Sequence, residues 1–279
     1  MTVCIIGLGL IGGSIAIALR EKAFAERIVG VDFNAAHCLD AVRFGLVDET
    51  LPLAVGIEQS DLVIIAIPVD ATLQILPSVL DQVNHQVVMD VGSAKFMICA
   101  CVADHPKRKN FVASHPMWGT ENSGPGAAVS GAFKNKAAVI CDKQDSNEAA
   151  VSQVESVYKA LGMHIVYMNA TDHDVHTAYI SHVSHITSFA LANTVLEKEK
   201  ENNTIFELAS GGFESTVRLA KSNPAMWLPI FMQNKENVLD VLNEHIYQLK
   251  KFKACLEKEN FEYLDELMKN ANKIRRILK

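Results

Sequence analysis

A short apolar run, Val3-Cys4-Ile5-Ile6, passes directly into Gly7-Leu8-Gly9-Leu10-Ile11-Gly12-Gly13-Ser14 and then into an alanine-rich helical stretch. Twenty residues beyond Gly12, a second apolar run ends on Asp32. Strand, G-x-G-x-x-G turn, helix, strand and terminal acid together define a β-α-β unit that receives the pyrophosphate of a dinucleotide. Gly7 permits the tight turn, Gly9 lets the backbone approach the phosphates, and Gly12 lets the helix pack closely on the strand. Leu10 and Ile11, inside the fingerprint, count with the glycines as cofactor-binding residues, and the free N–H groups and positive dipole end of the helix face the phosphates. Asp32 can accept hydrogen bonds from both ribose hydroxyls and would repel a 2′-phosphate. The residues after it, Phe33-Asn34, bring no arginine, so NAD is expected rather than NADP.

The first part of the chain alternates strand-like and helix-like segments, as a doubly wound sheet requires. Leu62-Val63-Ile64-Ile65-Ala66-Ile67 is an uninterrupted β-branched run that stops at Pro68, so it reads as a strand buried on both faces. Ile67 and Pro68, at its carboxyl end, fall where the cofactor lies. Further strands are expected at 86–91, 111–114, 137–140 and 164–167, with helices over 35–44, 96–105 and 146–161. From residue 169 onward only helical periodicity remains. Thr171 with Asp174 reads as a capping box opening a helix that runs to about Glu201. Two more helices are expected over 229–257 and 262–278. Leu239, Leu242, Ile246, Leu249 and Leu256 form a three-four spaced apolar stripe. The expected architecture is therefore α/β, a Rossmann-type, mainly parallel sheet over 1–168. An all-helical substrate-binding and dimerisation domain over 169–279 follows it.

Composition narrows the function classes. Hydrophobic residues at 49% and charged ones at 21% suit a soluble globular enzyme. A net charge of −6 argues against nucleic acid or an anionic membrane as partner. The six cysteines are scattered without a C-x-x-C pair, which points to reduced thiols in a cytoplasm. Cys99 and Cys101 are too close for a zinc knuckle and read as helix packing. The apolar opening run lacks a basic leader and is explained by the glycine fingerprint rather than by a signal peptide.

Ligands in an open α/β sheet sit beyond the carboxyl ends of the strands. Two post-strand segments therefore matter: Asp90-Val91-Gly92-Ser93-Ala94-Lys95 and Ser114-His115-Pro116-Met117-Trp118-Gly119-Thr120-Glu121. His115 is the foremost chemical group, since an imidazole can accept the proton or hydrogen bond of a substrate hydroxyl while hydride leaves. Ser93, at the neighbouring strand end, could orient it, whereas Lys95 reads as a solvated lysine one step into a helix. In Ser181-His182-Val183-Ser184-His185 the two histidines share a helical face. Without a third ligand they suggest polar groups aimed at a substrate or at the domain interface rather than a metal site. His173 and His176 read as surface or capping residues. Arg218 stands among apolar neighbours after Gly211-Gly212, where a guanidinium seeks an anion: a structural carboxylate or a substrate one.

Taken together and in order, these stretches, with the segment from Gly211-Gly212-Phe213 through Arg218 to Met226-Trp227, resemble the prephenate/arogenate dehydrogenase family of tyrosine biosynthesis. The resemblance spans nearly the whole chain. It implies oxidative decarboxylation of prephenate to 4-hydroxyphenylpyruvate, or of arogenate to tyrosine. It further implies that His115 takes the hydrogen bond of the ring hydroxyl and Ser93 steadies both. Arg218 would bind a carboxylate, with His182, His185, Thr120, Glu121 and Trp227 completing the substrate pocket. A homodimer through the C-terminal helices is implied as well. Trp118 fills a place where the family more often has a smaller residue. No chorismate mutase or regulatory module is expected within residues 1–279, so feedback through such a module is not expected, while tyrosine could still compete at the active site. An arogenate enzyme would present a carboxylate to the substrate ammonium, and Glu121, Asp174 and Glu214 are available. A β-hydroxyacid dehydrogenase would instead carry a lysine on the first interdomain helix. A non-catalytic NAD-sensing protein would not need His115, Ser93 and Arg218 to converge.

Overall fold

The computed structural model describes residues 1–200 and 205–277. Its first element, β1 (Thr2–Ile6), enters the glycine turn and α1 (Leu10–Glu21); β2 (Arg27–Val31) and α2 (Ala35–Arg43) follow. The chain continues through β3 (Glu49–Thr50), α3 (Leu53–Glu58), β4 (Leu62–Ile65), α4 (Val69–Gln82), β5 (Val87–Asp90) and α5 (Phe96–Ala100). It goes on through β6 (Phe111–Pro116), β7 (Ala137–Cys141), α6 (Glu148–Ala160) and β8 (His164–Met168). Among the described residues, eight strands form one sheet in the order β3-β2-β1-β4-β5-β6-β7-β8, and only the β6–β7 pair is antiparallel. The strand order reverses between β1 and β4, which opens the ligand crevice of an open α/β sheet at their carboxyl ends.

The alternation of side chains sorts the core into two layers. Ile5, Leu62, Ile64 and Met89 pack on one face of the sheet. Cys4, Ile6, Val63, Ile65 and Val88 pack on the other. β4 is apolar throughout because it supplies both, as a parallel strand covered by helices must.

The sheet parts at one place. β5 pairs with β6 only at Val88↔Phe111 and Met89↔Val112, whereas β6 pairs with β7 from Ala113 to Pro116. The gap is closed by side chains. Ser114 Oγ donates to the Asp90 carbonyl at 2.7 Å, and Ser114 N–H donates to Asp90 Oδ1 at 3.2 Å. His115 and Pro116 thus lie within the strand's end rather than in a loop beyond it.

After β8, α7 (Ala170–Thr177), a π-helical turn (Ala178–His182) and α8 (Val183–Glu199) run on without a break. The helix is opened by Asn169, whose side chain accepts from Asp172 N–H at 2.7 Å. The expected capping box at Thr171 and Asp174 does not form, because both lie inside the helix and Asp174 is engaged elsewhere. The expected helix end at Glu201 lies outside the described residues. Short α9 (Gly211–Val217) and α10 (Pro224–Gln233) complete the first compact unit, Met1–Asn234. Asn223 caps α10 through Ala225 N–H at 2.9 Å, with Pro224 in the first turn.

The second unit, Lys235–Lys279, contains α11 (Lys235–Glu257) and α12 (Phe261–Ala271). The helix expected over 229–257 is therefore two, broken at Asn234, whose φ of −107° and ψ of 26° end α10. The helix expected over 96–105 stops at Ala100. The last expected helix gives way to a 3-10 turn, Asn272–Arg276, and its end at Leu278 lies outside the described residues. Leu239, Ile246, Leu249 and Leu256 of the apolar stripe are exposed. No helix among the described residues is long and apolar enough to cross a membrane.

Candidate active site

The glycine turn is shaped for a phosphate. Gly7 has φ +98°, and a Cβ there would lie 2.4 Å from the Ala66 carbonyl oxygen. A Cβ on Gly12 would lie 2.0 Å from the Gly7 oxygen, so α1 can sit this close to β1 only with glycine. Around Gly9 a Cβ would meet nothing within 4 Å. That open volume adjoins the start of α1, which no side chain caps, so its first N–H groups are left for an anion. Asp32 is fixed by Leu8 N–H and Asn34 N–H, each at 2.9 Å, with His37 Nδ1 3.5 Å away. This donor set fits a dinucleotide, with the carboxylate at the ribose end.

A cavity of about 600 Å³ extends from this turn to the helical segment. Gly9, Leu10, Ile11, Ile67 and Pro68 line its end at the glycine turn. Ser93, His115, Trp118, Thr120, His185 and Trp227 line the other. Trp118 forms one wall and is held edge-on against Phe133 at 5.2 Å.

His115 is buried, and its Nδ1 lies 2.9 Å from Nε2 of His173. His173 Nδ1 in turn lies 2.8 Å from Asp174 Oδ1. His173 is thus no surface residue: it is 1% exposed and forms the direct partner of His115. Asp174 also accepts Lys95 N–H at 2.7 Å and Phe96 N–H at 2.9 Å, which pins the start of α5 to α7. The hydrogen-bond partner of His115 Nδ1 is His173; Ser93 stands nearby on the cavity wall.

Lys95, expected in solvent, is fully buried. Its ammonium pairs with Asp90 and donates to the Ser114 carbonyl at 2.9 Å, filling the gap between β5 and β6. A charge this deep requires such a partner. Burial first, and then the positive charge or partial charge of His173, Lys95 and His182, holds His115 well below the ordinary histidine range. It is therefore a neutral acceptor at physiological pH.

The π-turn places the second pair of histidines, as such bulges often do at functional sites. His182 is buried beside Asn234, whose amide lies 3.2 Å from His182 Nδ1 and donates to the Asp174 carbonyl at 2.7 Å. Burial brings His182 down to about 4. His185 stacks on Trp227 with ring centroids 3.4 Å apart, and His182 meets the same indole edge-on at 5.9 Å. Trp227 and Ile230 anchor α10 in the core on the sheet's second face.

Arg218 lies just beyond the cavity wall, half exposed, and pairs with Glu121 at 2.5 Å. Ser188 on α8 fixes the segment around it, donating to the Thr216 carbonyl and accepting Ala220 N–H, both at 3.1 Å. Glu121 is held below the usual carboxylate range by its own backbone N–H and by Arg218. Glu214 lies on the surface, 3.6 Å from Lys221. Among the described residues, no group of three His, Cys, Asp or Glu side chains is arranged for a metal ion. Burial pushes the thiols of Cys4 and Cys141 up to about 12, too high for nucleophilic service.

A glycine cradle with its terminal acid, and a neutral buried imidazole on the cavity that extends from that cradle, define a dinucleotide-dependent dehydrogenase. The family models for the prephenate dehydrogenase nucleotide-binding domain and the prephenate dehydrogenase dimerization domain match residues 15–167 and 169–270. The chain belongs to the prephenate dehydrogenase family. It is 34% identical to the prephenate dehydrogenase of Bacillus subtilis, over 98% of this chain and 75% of that one. It is 30% identical to the cyclohexadienyl dehydrogenase of Zymomonas mobilis, over 99% and 96%. Its fold matches the crystal structure of prephenate dehydrogenase from A. aeolicus in complex with hydroxyphenyl propionate and NAD+ with a TM-score of 0.91. That match has 29% identity and covers 100% of this chain and 98% of that one.

Proposed function

We propose that this chain catalyses the NAD-dependent oxidative decarboxylation of prephenate to 4-hydroxyphenylpyruvate in tyrosine biosynthesis. The reading is carried by His115: a neutral imidazole at the meeting of the dinucleotide cradle and the helical wall, with Nδ1 engaged by His173. NAD, when bound, supplies the hydride acceptor. Nε2 of His115 accepts the hydrogen bond of the ring hydroxyl, so electron density on that oxygen drives hydride from the same carbon. Loss of CO2 from the opposite ring carbon returns its bonding pair to the ring, which becomes aromatic. The hydroxyl proton ends on the phenol oxygen, so no net proton is consumed or released. Ser93 orients the hydroxyl, and Thr120, His185 and Trp227 enclose the ring and exclude water, with His182 packed behind them against Trp227 rather than on the cavity wall. Arg218 takes a substrate carboxylate, exchanging Glu121 for it. Asp32 selects NAD over NADP.

The choice of prephenate over arogenate is supported by the cavity's charge. Among the described residues no carboxylate lines it, whereas Lys136 does. Asp174 is saturated by His173 and two backbone donors, and Glu121 lies outside the cavity lining. A dianionic keto acid suits this lining better than a side chain bearing an ammonium. Purified protein offered each substrate with NAD should show kcat/KM at least about tenfold higher for prephenate, a preference of about 1.4 kcal/mol. Equal or greater efficiency with arogenate would overturn the substrate assignment.

The functional boundary falls between residues 168 and 169, with NAD on the first part and the substrate pocket shared between the two. The exposed leucines and isoleucine of α11 suit a homodimer through the C-terminal helices. A cytoplasmic setting is supported by free cysteines throughout and by the absence of a membrane-length apolar helix among the described residues.

A further inference from the structure

The hydrogen bonds that converge on His115 have a direction, and that direction fixes which of its nitrogens is free. Asp174 receives Lys95 N–H on Oδ1 and Phe96 N–H on Oδ2. A carboxylate can only accept, so Nδ1 of His173, 2.8 Å from Asp174 Oδ1, carries a hydrogen. Burial holds His173 below its ordinary range, against the opposing pull of the Asp174 bond. Its imidazole is then neutral, and its Nε2 is a bare lone pair. That lone pair lies 2.9 Å from His115 Nδ1, which must supply the hydrogen. A neutral His115 has one ring hydrogen, so Nε2 is left without one.

We propose that His173 and Asp174 form a positioning relay that locks His115 in its Nδ1–H tautomer and so presents the Nε2 lone pair to the substrate hydroxyl. The proposal rests on the reading of His115 as the hydroxyl's acceptor. The relay joins parts of the chain far apart in sequence: β6 supplies His115, while α7 supplies His173 and Asp174. The backbone of Lys95 and Phe96 at the start of α5 saturates the carboxylate. Other charged or titratable groups face the same centre. Lys95 and Asp90 lie in the β5–β6 gap, and His182 lies on the π-turn. None of them supplies the hydrogen bond to His115 Nδ1. As the hydroxyl hydrogen is drawn toward Nε2, the ring gains positive character, and the relay answers with an acceptor already aligned, as a second partner does for a ligating or catalytic histidine.

Nitrogen-15 NMR of histidine-labelled protein reads the tautomer without any substrate. In the wild-type protein at neutral pH, His115 is expected to show a protonated Nδ1 and a bare Nε2; the reverse would overturn the proposal. Asp174→Asn must turn its amide N–H against either Phe96 N–H or Lys95 N–H, which loosens the acceptor that fixes His173. Its His115 should show a mixture of the Nδ1–H and Nε2–H forms, with kcat reduced about 10–100-fold, while the Kd for NAD and the KM stay within about twofold. His173→Gln, whose amide oxygen can accept from His115 Nδ1, should retain more turnover than His173→Ala. Wild-type kcat in both Asp174→Asn and His173→Ala would also overturn the relay. Should the variants not fold, the wild-type spectrum alone decides. An Nδ1–H His115 in a protein inactive on prephenate would remove the substrate assignment and leave the relay standing.

Discussion

The ammonium of Lys95 and the carboxylate of Asp90 meet in the gap between β5 and β6, both without solvent access. Removing one partner of a buried pair leaves an uncompensated charge and costs about 3–5 kcal/mol. Lys95→Met should therefore lower unfolding stability by about that amount in urea titration. Asp90 keeps Gly92 N–H at 2.9 Å and Ser114 N–H at 3.2 Å, so the lower end of the range is expected. The double variant with Asp90→Asn should recover part of the loss. Because Lys95 helps to depress His115, the acid limb of kcat/KM in Lys95→Met should move to higher pH.

Neutral buried histidines set the pH dependence. His115, His173, His182 and His185 are all depressed, with burial the largest cause in each. The folded state therefore binds fewer protons than the unfolded one below the ordinary histidine pKa of about 6.5. Stability is flat above that value and falls as pH drops beneath it. His182 alone, brought to about 4, should cost about 3 kcal/mol by that pH. The acid limb of kcat/KM should likewise lie below about 6.5. A limb above 7 would contradict a neutral His115.

Gly9 and Gly12 should separate cofactor binding from folding. Gly9→Ala meets no atom within 4 Å, so unfolding stability should stay within about 0.5 kcal/mol of wild type. Its methyl group occupies the space offered to the pyrophosphate, and NAD binding by calorimetry should be lost. Gly12→Ala drives a Cβ to 2.0 Å from the Gly7 oxygen and should lose stability as well.

Arg218→Lys should raise the KM for prephenate while leaving the Kd for NAD unchanged. A lysine cannot reproduce a two-pronged bond to a carboxylate, and the loss of about 1.5–3 kcal/mol corresponds to roughly 10–150-fold. An unchanged KM would mean that Arg218 serves only Glu121.

The dinucleotide half was legible because its constraints are local. Turn, helix start and acid fall within Gly7 to Asp32, and each residue type has a steric or electrostatic reason to be there. Leu62 to Ile65 was legible for a related reason, since a strand covered on both faces must be apolar throughout. What the sequence hid depends on pairing across distance. Lys95 one step before a helix is solvated in isolation; it is buried only because β5 and β6 part and leave an acid and a carbonyl to receive it. His173 and Asp174 looked like helix-start polar residues, because nothing local reveals that α7 faces β6. The one available signal was the adjacency of a histidine and an aspartate near a helix that enters a crevice. Helix ends failed where a single backbone conformation decided them, as at Asn234.

His115, by accepting the hydrogen bond of the substrate hydroxyl, lets that oxygen expel hydride while the glycine cradle holds the hydride acceptor. The most direct measurement is NADH formation by purified wild-type protein and its His115→Asn variant with prephenate, alongside NAD binding to both. Wild-type protein should form NADH, and His115→Asn should lose at least about 100-fold in kcat, as expected for an acid–base group, with the Kd for NAD unchanged. No NADH from the wild type, or full turnover by the variant, would contradict the account.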